Sequence, residues 1–435
     1  MAIGLMLFAL FFGAGNMIFP PFLGQEAGTN VWTAIIGFLI TGVGLPLLGI
    51  IAIAKTGDLQ TLANRVHPTY AVIFTVVLYL VIGPLFAIPR TGTVTYEIGV
   101  VPFLSESVAN NGLSLLAFTI VYFALTAWLS MNPSKLVDRI GKFLTPALLI
   151  ILAVFVVKSL ITPLGAPSAP TGAYADGAFF KGFVEGYLTM DAIAALVFGI
   201  IVISSIKGFG VTDKKSLTKI CVIAGIIAAA GLALVYFALA YIGATSPDAL
   251  GVQENGGAIL SGAANYLFGS FGSIILALAI SFACLTTSVG LVSSCAEYFS
   301  KLLPRFSYKA IVIIFSLFST VIANAGLTQL IKFSIPVLVF IYPLAIVLIL
   351  LSFAHNAFKG YSLVYICALI PTGFIGLIDG LNAAGMNVSG ITEALNFLPL
   401  FEQGIGWLVP AIGGAVIGYV IALATGEAKK TVPTN

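Results

Sequence analysis

The stretch LFFGAGNMIFPP, residues 10–21, interrupts the first apolar run of the chain. Glycine forms helix poorly, so two glycines around an alanine, followed by an asparagine, are the weakest helical sequence in this run. Unwinding here would free carbonyl groups at the end of one half-helix and amide groups at the start of the next. Carbonyl oxygens suit a bare cation, and amides at a helix N-terminus suit a carboxylate. Close packing of an unbroken helix through small residues is the alternative.

The composition around this stretch is typical of a membrane protein. Of 435 residues, 60% are hydrophobic and only 8% are charged, whereas about a quarter of a soluble domain is charged. A helix needs about 20 apolar residues to cross a bilayer. An open sheet is excluded, because the amide groups at its edge would have no hydrogen-bond partner in lipid. The sequence therefore predicts an all-α polytopic protein with about twelve transmembrane helices, over residues 3–22, 31–54, 70–97, 113–132, 139–160, 182–206, 217–242, 273–300, 308–325, 328–353, 361–380 and 404–424.

The charged residues predict the orientation of these spans. Basic residues fall in the loops after even-numbered spans and in the C-terminal tail, among them Lys55, Arg65, Lys135, Lys214, Lys215, Arg305, Lys359, Lys429 and Lys430. The other loops carry mainly acidic residues. The positive-inside rule then places both termini in the cytoplasm of a multi-pass cell-membrane protein. The apolar N-terminus lacks a basic region and a small-residue cleavage site, so we expect it to be a retained span.

A second interruption occurs five spans after the first. The run GYLTMDAIAALVFGIIV, residues 186–202, contains an aspartate followed by a long charge-free segment. Two interrupted helices at corresponding positions are what an inverted repeat of five plus five spans would produce. We therefore expect helices 1 and 6 to be broken within one transporter domain, 1–435, formed by repeats 1–160 and 182–353 and two accessory helices in 361–424.

Two charged features lie within the predicted membrane depth. A lone carboxylate such as Asp191 is costly there, so we expect it to be protonated, paired with a bound cation or facing a substrate ammonium. An N-cap on the second half of helix 6 is the alternative, since aspartate caps helices well. Arg90 and Glu97 are seven residues apart in span 3, and we expect them to neutralise each other, directly or through a neighbour.

Two polar or short segments have alternative interpretations. The hydroxyls in FACLTTS, residues 282–288, either bond back to their own helix or turn inward as oxygen ligands for sodium. The segment GGAILSGAANYLFG, residues 256–269, is apolar but too short to span. We expect either a helix over the external mouth or a surface loop there.

The same features favour a secondary transporter over other classes. There is no P-loop motif for a nucleotide, and no catalytic His/Asp/Glu cluster that would indicate an enzyme. A channel would favour a continuous polar stripe along several helices, whereas the polar residues here are isolated points. We expect no cofactor besides a coupling cation, which the oxygen ligands described above suggest is Na⁺. The expected partners are a small-molecule substrate and the lipid bilayer, with no nucleic acid and no obligate protein partner.

Several blocks of the sequence resemble one family of carriers. They are LFALFFGAGNMIFPPFLGQEAG (7–28), GPLFAIPRTGTVTYEIG (83–99), GYLTMDAIAALVFGIIV (186–202), ACLTTSVGL (283–291) and PLFEQGIGWLVP (399–410). Together they resemble the branched-chain amino acid:cation symporter family, the bacterial system II carriers. The resemblance implies import of leucine, isoleucine and valine with sodium or protons. It also implies twelve spans, of which the first ten adopt the leucine-transporter fold.

The resemblance also implies site residues. In the fold's shared sodium site, carbonyls of broken helix 1 and helix 8 meet two hydroxyls of helix 8. The matching groups here are the carbonyls of Ala9, Phe12 and Ala283 and the hydroxyls of Thr286 and Thr287. The implied substrate-binding residues for the aliphatic amino acid are Gly13, Ala14, Gly15, Asn16, Tyr187, Thr189 and Asp191, with amides near Ala14 and Gly15 holding the carboxylate. Asp191 stands where relatives outside the family have a small neutral residue. The resemblance therefore does not decide whether a second sodium site exists around Asn16.

Overall fold

The computed structural model describes residues 1–109, 111–132 and 145–426, and every regular element in these ranges is helical. We number the helices by predicted span: α1a (Ala2–Phe11), α1b (Ala14–Ala27), α2 (Val31–Leu39 and Leu45–Thr56), α3 (Pro68–Leu80 and Ala87–Gly99), α4 (Gly112–Ser130), α5 (Thr145–Ile161), α6a (Tyr174–Glu185), α6b (Asp191–Gly208), α7 (Lys214–Thr245), α8 (Ser270–Leu302), α9 (Tyr308–Ala323), α10 (Leu327–Ala354), α11 (Ser362–Ala383) and α12 (Leu408–Thr425).

Helix lengths support a membrane-spanning chain. Within the described ranges, nine helices are long and apolar enough to cross a membrane, with Ala14–Thr56 counted as one. Three further apolar helices, Ala2–Phe11, Pro146–Ile161 and Tyr308–Ala323, are shorter. The total of twelve spans stays a prediction, and the start of the fifth, 139–144, lies outside the described residues.

Two helices bend where glycine and proline interrupt them. The two parts of α2 are joined by a π-helical turn over Ile40–Gly44, and those of α3 by one over Val81–Leu85. In α3 the turn contains Gly83, whose ψ of −122° is not helical, followed by Pro84. Because proline cannot donate a backbone hydrogen bond, a kink at this point is expected. The kink directs the second part of α3 into the middle of the bundle, where Arg90 and Thr91 are buried.

Glycines allow α1b and α7 to touch backbone to backbone. A Cβ placed on Gly24 would lie 2.0 Å from the carbonyl oxygen of Ala240. A Cβ on Gly243, in α7, would lie 1.9 Å from the carbonyl oxygen of Pro21. No real side chain fits at such distances, so both positions must be glycine. Small residues commonly bring helices this close in membranes.

The same device recurs between α6a and α2. A Cβ on Gly182 would lie 2.0 Å from the carbonyl oxygen of Ala34, and one on Gly37 would lie 2.0 Å from that of Phe179. Thus α1b packs on α7 as α6a packs on α2. Exchange of helices 1 and 2 with helices 6 and 7 is what an inverted repeat requires. The repeat boundaries, 1–160 and 182–353, stay predictions.

The segment between α7 and α8 contains a helix, as predicted. It spans Gly256–Phe268, and the side chain of Asn255 caps it by accepting a bond from the Ala258 amide at 3.0 Å. A Cβ on Gly256 would lie 1.7 Å from the carbonyl oxygen of Ile18, so this helix packs directly on α1b. Its location on the external side stays a prediction.

We predict that Gly182→Ala destabilises the protein, because its new methyl group collides with the α2 backbone. Overpacking of this kind costs about 1–3 kcal/mol. Gly177→Ala, in the same half-helix, is the matched control, since a Cβ there meets nothing within 4 Å. Thermal unfolding in detergent should give a clearly lower midpoint for Gly182→Ala than for Gly177→Ala. Equal midpoints would show that the α2–α6a contact is not as close as described.

Candidate substrate and cation site

Helix α1 is broken where the sequence predicts it. The first half ends at Phe11 and the second begins at Ala14. Between them, Phe12 has ψ of 85° and Gly13 has φ of −125° and ψ of −154°, neither of which is helical. The Gly13 amide donates to Oδ1 of Asn16 at 3.1 Å. The asparagine therefore folds back on the break and orders the start of α1b.

Helix α6 is broken at the matching place. After α6a, a short 3-10 turn over Gly186–Thr189 leads to Met190, which has φ of 66° and ψ of 10°. This left-handed conformation is uncommon for a residue other than glycine and costs of order 1–3 kcal/mol. It separates the 3-10 turn from α6b, which starts at Asp191, where the side chain is buried.

A buried polar cluster connects the two breaks. Oδ2 of Asp191 accepts a bond from Nδ2 of Asn16 at 2.5 Å and one from the Tyr236 hydroxyl at 2.7 Å. Asn16 and Tyr236 also contact each other. All three side chains are buried. Since they come from α1b, α6b and α7, the cluster holds both broken helices against a third, continuous one.

A tyrosine of α10 accepts a hydrogen bond from the first turn of α6b. The Ala192 amide donates to the Tyr342 hydroxyl at 3.3 Å, so one of the first free amides of this half-helix has a partner. The ring of Tyr187 stacks on that of Tyr342, with centroids 4.6 Å apart. Tyr187 therefore packs against α10 and is not among the residues that line the cavity between the breaks. Its predicted contact with substrate gains no geometric support.

Arg90 points at the α6 break and not at Glu97. Its Nη1 donates to the Leu188 carbonyl at 2.8 Å, and its Nη2 donates to the Thr189 carbonyl at 3.3 Å. The guanidinium carbon lies 5.3 Å from the centre of the Phe19 ring. The expected neutralisation between Arg90 and Glu97 is therefore not what the structure contains. Freed carbonyls at the break are the stronger attraction, because they concentrate partial negative charge beside the cation.

A small cavity of about 20 Å³ lies between the two breaks, which is room for about one water molecule. Six predicted substrate-binding residues line it, namely Gly13, Ala14, Gly15, Asn16, Thr189 and Asp191. Arg90, Thr91, Met190 and Thr287 add further polar or flexible groups. The remaining wall is apolar and consists of Leu10, Phe11, Ile82, Ala87, Ala194, Phe198 and Leu291.

Oxygen atoms of α8 and α1a meet beside this cavity. The Thr286 hydroxyl lies 3.1 Å from the Ala9 carbonyl oxygen and 2.8 Å from that of Ala283. The Thr287 hydroxyl lies 3.4 Å from the Ala9 carbonyl oxygen. Four of the five predicted cation-binding groups are thus together. Thr286 therefore bonds back to α8, as one alternative predicts, and also reaches across to α1a, whereas binding of sodium by these hydroxyls stays a prediction.

The fifth predicted group, the Phe12 carbonyl, is not among the contacts of these hydroxyls, and its role stays a prediction. The Thr287 hydroxyl lies 3.0 Å from the Leu10 carbonyl oxygen, whereas the structure gives it no contact with the carbonyl of Phe12. Phe12 is already in the unwound segment, so its carbonyl no longer follows the helical direction that α1a sets. Sequence reasoning missed Leu10 because a carbonyl carries no side-chain signature. Hard cations prefer such oxygen ligands.

The fold and the two broken helices define a membrane transporter. The solved structure of Mhp1, a nucleobase-cation-symport-1 family transporter in a closed conformation, matches with a TM-score of 0.62 over 98% of this chain and 92% of that one, at 15% identity. MhsT in complex with L-phenylalanine matches with a TM-score of 0.55 over 97% and 98%, at 16% identity. These likenesses concern the fold alone, and they confirm the predicted all-α transporter fold.

The chain belongs to the branched-chain amino acid transport protein family, whose model matches residues 1–425. It is 57% identical to the branched-chain amino acid permease BraB of Bacillus subtilis over 98% of this chain and 96% of that protein. It is 46% identical to the branched-chain amino acid transport system 2 carrier protein of Pseudomonas aeruginosa over 99% and 98%. The predicted family is confirmed. The chain is a multi-pass protein of the cell membrane and not an enzyme.

Proposed function

We propose that this protein imports leucine, isoleucine and valine by symport with a cation, sodium or a proton, through alternating access. One observation carries the proposal: polar groups of the two helix breaks, together with Arg90, Thr91 and Thr287, line one cavity whose remaining wall is apolar. Such a lining suits a small molecule with a charged head and an aliphatic tail, for which the cavity has to widen. The names of its relatives, a branched-chain amino acid permease and a branched-chain amino acid carrier, support the same substrate class.

The substrate carboxylate binds at the start of α1b in this proposal. Amides near Ala14 and Gly15 open the half-helix, and the dipole of a helix N-terminus favours negative charge. Gly15 has no side chain to block its amide, and both residues line the cavity. The break is therefore the means by which backbone groups reach a ligand at membrane depth.

The substrate ammonium, or the coupling cation, is proposed to use the charge of Asp191. Its Oδ2 is occupied by Asn16 and Tyr236, and the residue also lines the cavity. A positively charged group bound beside it would favour the charged form of the carboxylate. Asp191 would then attract positive charge where α6b begins, in a cavity whose remaining wall is apolar and includes Phe198 and Leu291.

The coupling cation is proposed to bind between α1a and α8. The carbonyls of Ala9 and Leu10 and the hydroxyls of Thr286 and Thr287 supply four oxygens, and the Ala283 carbonyl lies within reach of the same cluster. A cation there would fix α1a against α8 when substrate is present. One cation moving down 100 mV supplies about 2.3 kcal/mol, which supports about 50-fold accumulation.

Two other functions would fit parts of this arrangement. A carrier of another small neutral amino acid could bind the ammonium and carboxylate of its substrate with the same polar groups. A channel could also be lined by these groups. The cavity does not continue as a polar stripe along several helices, which disfavours a channel. Counterflow in vesicles separates these classes, because a carrier exchanges labelled for unlabelled substrate and a channel does not.

We expect purified protein in proteoliposomes to accumulate labelled leucine when a sodium or a proton gradient is imposed, each tested separately. Unlabelled isoleucine and valine should compete strongly, and alanine weakly, because each missing methylene costs about 1–3 kcal/mol of binding. Glutamate and lysine are the controls for a charged side chain. Equal competition by alanine, glutamate or lysine, or accumulation without either gradient, would contradict the proposal.

We expect Thr287→Ala to raise the cation concentration needed for half-maximal uptake at least tenfold, because it removes one ligand oxygen. Thr372→Ala is the matched control: Thr372 is also buried, and its hydroxyl bonds only within α11, to the Ala368 carbonyl at 2.7 Å. Both variants lose one buried hydroxyl, so their surface expression should fall alike. Normal cation activation in Thr287→Ala would refute the proposed cation site.

A further inference from the structure

We propose that Arg90 binds the substrate carboxylate, together with the amides of α1b, and so determines that the carrier takes amino acids and not amines or amides. This inference rests on the proposed function and adds a residue to it. Arg90 lies on α3, outside the two broken helices. It nevertheless lines the same cavity as Gly15, Thr189 and Asp191.

The guanidinium lies directly on the first turn of α1b. A Cβ placed on Gly15 would be 2.6 Å from Nη2 of Arg90, so this position is open only because residue 15 is a glycine. One helical turn further along, the Phe19 ring lies under the guanidinium, with its centroid 5.3 Å from the guanidinium carbon. The planar cation is therefore held beside the amides to which the carboxylate is proposed to bind.

The guanidinium of Arg90 has hydrogen-bond donors that its present partners do not use. Its two terminal nitrogens donate to neutral carbonyls, those of Leu188 and Thr189. Its Nε is buried and has no hydrogen-bond partner in the part of the chain that the structure describes. Arginine offers five donors in a planar fork that matches a carboxylate. The charge of Asp191 already attracts Arg90, without a direct bond. A carboxylate bound to the guanidinium would give Nε a partner and add charge-assisted bonds, which are about twice as strong as neutral ones.

The two ends of the cavity then match a zwitterion. Arg90 and the α1b amides present positive charge, while Asp191 presents negative charge and is held separately, by Asn16 and Tyr236. A ligand carrying both an ammonium and a carboxylate can satisfy both ends without adding net charge to the membrane interior. A purely structural role, in which Arg90 only ties α3 to the carbonyls of the α6 break, would treat ligands with and without a carboxylate alike.

The test compares two ligands in two variants. Leucine and leucinamide share the ammonium and the aliphatic side chain, and differ in whether a charged carboxylate is present. Affinities are measured in detergent for the unmodified protein, for Arg90→Gln and for Arg305→Gln, which removes the same guanidinium from an exposed loop. We expect Arg90→Gln to lower the affinity for leucine about 100-fold, with the affinity for leucinamide lowered much less. The ratio of the two affinities should collapse in Arg90→Gln and be unchanged in Arg305→Gln.

Each outcome is decisive. An unchanged ratio in Arg90→Gln, with leucine still bound by the unmodified protein, overturns the assignment and leaves the proposed function intact. Absence of leucine binding in the unmodified protein overturns both. If Arg90→Gln does not fold, Arg90→Lys keeps the charge but loses the fork. Arg90→Lys should lower the affinity for leucine about tenfold and change the affinity for leucinamide little. Equal changes in the two affinities would overturn the assignment.

Discussion

A buried carboxylate in the membrane interior must be satisfied by its neighbours, and the centre of this protein is arranged around that requirement. Asp191 begins α6b and accepts bonds from Asn16 of α1b and Tyr236 of α7. Because Asn16 also accepts from the Gly13 amide, the same side chain orders the α1 break. One polar cluster thus holds both half-helix starts against a continuous helix, and the close glycine contacts of α1b with α7 and of α6a with α2 support it from outside.

The groups proposed to bind substrate and cation are arranged around this cluster. The start of α1b, the guanidinium of Arg90 and Asp191 all line the cavity, so it offers groups of both charges. The oxygens of Ala9, Leu10, Thr286 and Thr287 lie next to the cavity, and Thr287 also lines it. In the proposed mechanism, substrate and cation therefore meet the same unwound segment of α1. A change in the position of α1a would alter both sites together, which is the physical basis expected for their coupling.

The sequence was sufficient for features that depend on local chemistry. Two glycines before Asn16 predicted the break of α1, and a charge in the apolar run of helix 6 drew attention to Asp191. Features that depend on tertiary contacts could not be predicted in this way. Tyr236 is one tyrosine in a long apolar helix, and only packing shows that its hydroxyl reaches Asp191. Arg90 was assigned to Glu97 because helical spacing reveals partners on the same helix and not carbonyls freed on another. The contact of Thr287 with the Leu10 carbonyl depends on where the helix ends, to within two residues, which a sequence does not give.

The charge of Asp191 is the central claim, and the leucine affinity of Asp191→Asn tests it most directly. Asparagine can still accept the bonds of Asn16 and Tyr236 through its side-chain oxygen, so the breaks should stay joined and the thermal midpoint in detergent should change little. Loss of one partner of a buried charge pair costs about 2–5 kcal/mol, so we expect leucine affinity to fall by at least about 30-fold. The N-cap of α6b is Met190, so the alternative that Asp191 caps this half-helix is not what the structure contains. A folded Asp191→Asn protein that binds leucine with unchanged affinity would contradict the account and show that Asp191 serves only to join the two breaks.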